Sequence, residues 1–380
     1  MIPIGSQRRL FDIPDGIAYF NTAYNGPLLS ASRERLAAEA GAKAHPWEQT
    51  SKDFFINAER VRELAASLFG GDADGYAIVP AASYGLSAAA RAIEPTLKAG
   101  DRIVVLDQEF PSNVLPWRRV ASETGASIVT VPTPDDGDWT TPTIAAIRDG
   151  ARVAALCNCH WTSGARLDLI AIGQACRDAG AILVLDATQA LGAMPFDVDE
   201  AQPDFVVAAG YKWLLCPYGF SLMYVAPAWR DARPLEETWL KRTKAENFAG
   251  LVNYSDEYAP GARRFDVGET CSAVLPGAIA ALEQLRSWTI EGIASSLADV
   301  NRRIEARLEA MGFALPPWAH RCPHMFGARV PDRITVNLVD ALRAQRVYVS
   351  QRGSSVRFAP HLHVTDADVD QLFAALDTIG

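Results

Sequence analysis

Short runs of aliphatic and β-branched residues alternate with longer helix-like segments through the first half of the chain. The runs predict strands at residues 77–79, 102–106, 127–131, 153–157, 182–185 and 205–208, and segments such as 84–93, 114–124 and 168–179 predict helices. This alternation, at about 20–30 residues per unit, is typical of a mostly parallel sheet with helices on both faces. The sequence therefore predicts an α/β fold whose ligands bind outside the carboxyl ends of the strands.

The pattern changes after residue 225. Residues 227–268 show no clear period, and helices are predicted at 276–288 and 294–311, followed by strands at 329–339 and 345–359. A closing helix is predicted at 365–379, with Thr365 as its N-cap. We therefore expect an N-terminal arm (1–15), a large domain (16–265) and a smaller α+β C-terminal domain (266–380).

Charge and composition exclude several classes of protein. Lys and Arg number 36 against 45 Asp and Glu, for a net charge of −9, whereas nucleic-acid binders carry a basic surplus. No apolar run reaches the length of about 18 residues that a transmembrane helix needs, and the N-terminus does not resemble a signal peptide. We expect a cytoplasmic protein, not bound to membrane or nucleic acid, whose six cysteines are reduced.

Three predicted strand ends carry polar groups that a fold alone does not need. Asp186 follows the run 182–185, where it is either a buried acid with a partner or the N-cap of the next helix. Lys212 follows a strand among aromatic residues, where it is either a desolvated nucleophile or a lysine whose amine reaches solvent. Ser83 begins a helix-like run, as part of an anion site or as a simple N-cap.

The combination is more informative than its parts. A phosphate-binding helix start, a strand-end acid and a strand-end lysine are the groups that hold pyridoxal 5′-phosphate (PLP). Lys212 would form the Schiff base, and Asp186 would pair with the pyridinium nitrogen. The segment around Ser83 would receive the phosphate.

At this point the chain resembles class V of the fold-type I PLP enzymes, which contains aminotransferases, cysteine desulfurases, kynureninases and isopenicillin-N-epimerase-like proteins. The resemblance extends from Tyr19 to the C-terminal helix and implies a homodimer with shared active sites and an amino acid substrate. It implies a catalytic role for Lys212 and Asp186, and cofactor contacts from Lys212, Asp186, Gln189, Ala82, Ser83, Phe110, Tyr211 and Thr270. Substrate contacts are expected from Arg357, Asn21, Tyr24 and His45.

Several positions depart from the usual family pattern. Phe110 stands where many relatives have a histidine, and it can stack on a ring but cannot move a proton. Trp161 stands where many relatives have an asparagine near the ring hydroxyl, so Gln189 acts there alone or with Ser163. Arg352 is either a second anion binder or a solvated arginine.

The cysteine pattern disfavours one activity within the family. Desulfurases use a thiol on a loop just before the carboxylate-binding arginine, and residues 349–357 contain no cysteine and leave no room for that loop. Residues 157–160 and 320–324 contain potential metal ligands, but neither segment has a paired C-x-x-C spacing, so we expect no metal. The sequence favours transamination, with a C–S lyase, kynureninase-like hydrolase or epimerase as the alternative.

Overall fold

The alternating strands and helices are present in the computed structural model, which describes residues 3–269 and 272–379. The strands are β1 (Ala18–Tyr19), β2 (Tyr76–Val79), β3 (Arg102–Leu106), β4 (Ser127–Val131), β5 (Ala151–Cys157), β6 (Ile182–Asp186), β7 (Phe205–Ala209), β8 (Ser221–Val225), β9 (Phe326–Arg329), β10 (Val347–Tyr348), β11 (Ser350–Arg352) and β12 (Ser355–Phe358). The predicted strands 102–106 and 127–131 match β3 and β4 at both ends.

The helices are α1 (Ser30–Ala42), α2 (Asp53–Phe69), α3 (Ala82–Ile93), α4 (Pro111–Thr124), α5 (Thr140–Arg148), α6 (Leu169–Ala179), α7 (Val198–Ala201), α8 (Leu275–Trp288), α9 (Ile290–Ala310), α10 (Leu338–Ala344) and α11 (Asp366–Asp377). None of these helices is long and apolar enough to cross a lipid bilayer, within the part of the chain that the structure describes.

The large sheet has seven strands in the order β2-β8-β7-β6-β5-β3-β4. Only β8 runs antiparallel to its neighbours, so the predicted mostly parallel sheet is confirmed. Successive residues of a strand point to opposite faces. Val104 therefore packs in a core with α2, α6 and α8, whereas Val105 packs in a second core with α3 and α4. Helices cover both faces, as predicted.

A smaller antiparallel sheet in the order β11-β12-β9 lies in the C-terminal part, and β10 pairs in parallel with β1. The hydrophobic core of this C-terminal part contains Phe20 and residues of α9, α10 and α11. Thr365 caps α11 through a capping box with Asp368, as the sequence predicts. The domain boundary at 265/266 stays a prediction.

The predicted strand at 329–339 is wrong. Strand β9 ends at Arg329, and the chain then turns into α10, where Leu338 and Leu342 are one helical turn apart and both buried. Asn337 caps α10 by accepting a hydrogen bond from the Asp340 amide. The predicted long strand 345–359 is divided into β10, β11 and β12, because β11 and β12 form a hairpin.

Candidate active site

A cavity of about 220 Å³ opens at the carboxyl ends of β5, β6 and β7. Because parallel strands end at the same edge of a sheet, side chains that are distant in sequence meet there. The lining includes seven of the predicted cofactor-contacting residues, namely Ala82, Ser83, Phe110, Asp186, Gln189, Tyr211 and Lys212. Thr270, the eighth, lies outside the described residues.

Lys212 lies in the turn that follows β7, and its side chain is only 6% exposed, so its amine does not reach bulk solvent. Gly26 packs on this turn, where a Cβ at residue 26 would lie 2.2 Å from the Lys212 carbonyl oxygen. The Lys212 Nζ is 5.5 Å from the centroid of the Phe110 ring. Burial lowers the pKa of Lys212 to about 8, although the negative charge of Asp186 opposes the shift. Part of the amine is therefore neutral and nucleophilic near neutral pH, unlike that of an exposed lysine.

Asp186 is the last residue of β6 and is 5% exposed. Its Oδ1 accepts a hydrogen bond of 3.0 Å from the amide of Thr188, and the Thr188 hydroxyl accepts one from the Ala209 amide. Burial raises the pKa of Asp186, while the Thr188 hydrogen bonds and the charge of Lys212 favour the carboxylate. A buried acid so placed favours a cationic ligand group, such as a protonated ring nitrogen.

Helix α3 begins at the edge of the cavity. Its N-cap is Ala81, so the alternative that Ser83 is the N-cap is wrong, and the Ser83 hydroxyl lies within the first turn. The first-turn amides of a helix have no partners within the helix, and with the helix dipole they favour an anion. Gly85 lets α3 approach β7, since a Cβ there would lie 2.8 Å from a methyl group of Val207. The position suits a phosphate.

Two aromatic side chains form part of the cavity wall. The rings of Phe110 and Trp161 meet edge to face at 5.3 Å, and both residues line the cavity. The Trp161 indole N–H donates to the carbonyl of Gln108, and the Ser163 hydroxyl accepts from the Ala165 amide. Trp161 therefore contributes an apolar surface to the cavity.

Gln189 and Tyr211 complete the predicted cofactor set. The Gln189 side chain donates to the carbonyl of Ala23 and accepts from the Trp213 indole, which leaves one amide hydrogen for a ligand. The Tyr211 ring stacks on Tyr218 at 4.3 Å. The two residues are therefore held in place by neighbours before any ligand binds.

Arg357 lies on β12 and is 1% exposed. Its Nη1 donates to the Trp161 carbonyl at 2.7 Å, whereas its Nε and Nη2 have no partner in the described structure. Burial, followed by the charge of Arg352, lowers the pKa of Arg357 to about 9, so the guanidinium stays charged at neutral pH. Arg352 lies over the Trp161 ring at 5.6 Å and is only partly exposed. Two donor nitrogens without a partner on a buried arginine suit a carboxylate.

The other predicted substrate contacts lie in different environments. Asn21 forms a backbone bridge to Ala359, two residues from Arg357, and its buried Oδ1 has no partner among the described residues. Tyr24 is 57% exposed and interacts electrostatically with Tyr211, which lines the cavity. His45 is exposed, with its ring 5.3 Å from Trp47. Within one chain the structure does not bring His45 to the cavity.

The comparisons with known proteins agree with this geometry. The family model described as "Aminotransferase class-V" matches residues 25–370. The chain belongs to the aminotransferase class-V family. It is 23% identical over 379 residues to isopenicillin N epimerase of Streptomyces clavuligerus, covering 96% of this chain and 95% of that protein.

Two further proteins are similar to this chain in sequence or in structure. A probable cysteine desulfurase of Pyrococcus abyssi is 28% identical over 223 residues, which is 56% of this chain and 55% of the relative, so the match spans about half of that protein. A mutant of the protein C-DES, solved with glycine covalently linked to its PLP cofactor, superposes with a TM-score of 0.88 at 20% identity, covering 98% of this chain and 100% of the other. The structural likeness establishes fold type I.

PLP is the cofactor of this class-V family member. The residues of the cavity fit it: a buried lysine with a partly neutral amine, a buried acid for the ring nitrogen, and a helix start for the phosphate. Phe110 offers an apolar face for the ring.

Three further residues line the cavity without a role predicted from the sequence, namely Glu109, Cys157 and Cys159. Burial raises the pKa of Glu109 to about 7, and the charge of Asp186 adds to the shift. Burial also raises the pKa of both cysteines well above the usual value, so both are neutral thiols. Cys157 pairs with Asp186 in the sheet register. Cys157 and Cys159 could have been identified from the sequence, because they are two residues apart at the end of a predicted strand. Residues with this spacing point to the same face of a strand.

Proposed function

We propose that this protein is a PLP-dependent aminotransferase that acts at the Cα of an amino acid. The observation that carries the proposal is Lys212, which is buried, forms no ion pair with any described residue, and shares a cavity with Asp186. Bound PLP supplies an electron sink for the charge that develops at the substrate Cα. The residues of this chain supply the binding, orientation and proton transfer.

Lys212 is the proposed anchor of the cofactor and the proposed base. Its amine would take the proton from the substrate Cα, since burial makes the neutral form accessible. Asp186 would hold the pyridine nitrogen in its protonated form. The start of α3, with Ala82 and Ser83, would hold the phosphate, together with Tyr211.

Arg357 is the proposed clamp for the substrate carboxylate. Its Nε and Nη2 have no hydrogen-bond partner among the described residues, and its Nη1 donates to the Trp161 carbonyl. Asn21 and Tyr24 are the proposed neighbours of the bound amino acid. This arrangement would orient the Cα–H bond toward Lys212.

Transamination needs one group that moves a proton, and Lys212 can serve as that group. Phe110 lines the cavity with its ring centroid 5.5 Å from the Lys212 Nζ, and its side chain has no titratable group. A single base can move a proton away from Cα and deliver it elsewhere on the same face. An epimerase that works with two bases needs a second group on the opposite face, which the Phe110 side chain does not provide.

A C–S lyase is the second candidate, together with a kynureninase-like hydrolase or an epimerase. The names of two relatives support the lyase and epimerase alternatives, because they are a probable cysteine desulfurase and an isopenicillin N epimerase. Elimination from a substrate also needs only one base. We propose that a thiol-dependent desulfurase is disfavoured, because β11 and β12 are joined by a tight hairpin without a cysteine. The thiols nearest the site, Cys157 and Cys159, are buried and neutral.

One experiment separates these reactions. The purified enzyme is incubated with a panel of L- and D-amino acids, with and without 2-oxo acids, while the cofactor spectrum and the products are followed. Transamination predicts conversion to the pyridoxamine form, reversed by a 2-oxo acid. If sulfide or persulfide forms without the pyridoxamine form, the proposed activity is that of a lyase instead of an aminotransferase. If the substrate is racemised, the activity is that of an epimerase.

We propose that the enzyme works as a homodimer in the cytoplasm. Trp47 and Tyr254 are large side chains with exposed fractions of 74% and 93%, which suits a surface covered by a second copy. Thr270 is the proposed contact to the phosphate of the partner. The five cysteines of the described residues are free thiols, which suits a reducing compartment. Sedimentation velocity at several concentrations tests the dimer, and a monomer with full activity would contradict it.

A further inference from the structure

Two segments that are distant in sequence meet below the cofactor cavity. Cys159 follows β5, whereas Cys322 and His324 precede β9. The two thiol sulfurs and one ring nitrogen of His324 all lie within 4.8 Å of one another, and the three residues are at most 1% exposed. Each segment alone lacks paired metal-ligand spacing, so the cluster exists only through the fold.

The backbone holds these segments together. The Cys322 amide donates to the Gly164 carbonyl at 2.8 Å, and the Arg166 amide donates to the His320 carbonyl at 2.9 Å. These bonds fix the turn after Cys159 against the segment that contains Cys322. The ligand atoms therefore do not depend on a flexible loop for their positions.

His324 is oriented as a metal ligand is. Its Nε2 lies 2.6 Å from the Gln189 carbonyl oxygen, which can only accept, so Nε2 carries the hydrogen. Its Nδ1 is buried, has no partner in the described structure, and presents a lone pair. Metal-binding histidines typically donate the other ring N–H to a carbonyl or carboxylate in this way. The Trp213 ring, edge to face at 4.4 Å, also restrains the imidazole.

Two cationic side chains lie near the cluster. Lys212 and Arg357 both interact electrostatically with Cys159, and no acidic side chain is part of the cluster. A soft divalent cation stabilises cysteine thiolates by binding them directly.

We propose that Cys159, Cys322 and His324 bind one zinc ion at a site that borders the cofactor cavity. Two sulfurs and one imidazole nitrogen match the preference of Zn²⁺, and Cys159 faces the cavity, where the fourth position can be taken by water or a solute. Binding forms two Zn–S bonds and one Zn–N bond and releases two protons as the thiols ionise. The ion would connect the turn beside Arg357 to the C-terminal segment.

The test uses untagged holoenzyme, reduced and freed of metal with a chelator. Zn²⁺ is added, excess is removed, and zinc per chain is measured by elemental analysis and by competition with a chromogenic chelator. We expect one zinc per chain in the wild type, and loss of this stoichiometric zinc in Cys159→Ser, Cys322→Ser and His324→Gln. Cys176→Ser, a buried thiol on α6 outside the cluster, is the matched control and keeps it.

The wild type alone also decides the proposal, in case a variant does not fold. Zn²⁺ should protect two thiols from alkylation and release about two protons per zinc in weakly buffered solution. Less than a stoichiometric amount of zinc in the reduced wild type overturns the proposal. Equal zinc content in the wild type and in all three folded variants also overturns the proposal. The proposal is overturned as well if Cys159 and Cys322 form a disulfide and the protein takes up no zinc after that disulfide is reduced.

Discussion

Two groups of buried cations in this protein differ in their partners. Arg62 and Lys241 are 2% and 5% exposed, and both pair with the buried carboxylate of Asp266, the Lys241 Nζ at 3.1 Å. Lys212 and Arg357 are 6% and 1% exposed, yet neither forms an ion pair with any residue of the described ranges. The first group is neutralised from within the fold.

The difference separates a structural role from a ligand-binding one. Burial alone would raise the pKa of Asp266, but Arg62 and Lys241 overcome it and hold the pKa below its usual value. Lys212 and Arg357 instead have lowered pKa values, because burial outweighs the favourable electrostatic interactions around them. A buried charge without an ion-pair partner costs several kcal/mol. These two cations are the ones that we propose interact with the cofactor and the substrate.

The largest expected difference is between the replacement of Lys212 and the replacement of Lys241, one lysine from each group. Lys212→Ala should abolish activity and the Schiff-base absorption band, because the amine that binds the cofactor covalently is gone. Lys241→Met should keep the band, since Lys241 lies in the structural cluster. Absorption spectra of the two purified variants check this. A retained band in Lys212→Ala would remove the lysine assignment.

The structural cluster should respond in stability instead. Asp266→Asn leaves Arg62 and Lys241 buried without their anion, and we expect the free energy of unfolding to fall by about 3–5 kcal/mol. Urea denaturation measures it. Asp231→Asn, at a carboxylate that is 97% exposed beside Arg264, is the control and should have little effect. If both variants lose a similar amount of unfolding free energy, burial does not explain a difference between the Asp266 ion pairs and the exposed Asp231 ion pair.

Arg357→Lys should raise KM for the amino acid by roughly tenfold to a hundredfold, as expected for a lost charge-assisted hydrogen bond of about 1.5–3 kcal/mol. The cofactor spectrum should be unchanged, which separates a substrate contact from a folding defect. Steady-state kinetics at saturating cosubstrate check it. An unchanged KM would place the carboxylate elsewhere, with Arg352 as the next candidate.

The smallest effect concerns pH. The pKa of Lys212 is lowered to about 8, and only the neutral amine attacks PLP, so reconstitution of cofactor-free protein should accelerate as pH rises. The rate should increase roughly tenfold per pH unit below the pKa and level off above it. Stopped-flow absorbance measures it. In Asp186→Asn the inflection should move to lower pH, because the anion that favours the charged amine is lost; a shift to higher pH would contradict this.

The strands of the large sheet could be predicted because they are fully buried. Segments such as 102–106 are uninterrupted aliphatic runs, and a strand covered on both faces needs that composition. The error at 329–339 has the opposite cause. The residues Val330, Ile334 and Val336 suggest a strand. In the structure the chain turns there, and the following helix α10 packs against the C-terminal core.

The candidate site was predictable where its residues lie at strand ends. Asp186 and Lys212 are each marked by an apolar run directly before a polar residue, and parallel strands end together. His45 had no such marker, and it lies on the surface away from the cavity. Glu109 was missed because a single acid beside an aromatic residue carries no periodic signal.

The α/β architecture, the family and the residues expected to hold PLP follow from local patterns and their order along the chain. The pairing of the buried cations, the unpaired nitrogens of Arg357 and the meeting of Cys159 with Cys322 and His324 could be found only in the folded protein. These features join segments that are far apart in the sequence. Contacts between remote segments depend on how the sheet, the turns and the C-terminal segment pack, which no local pattern records.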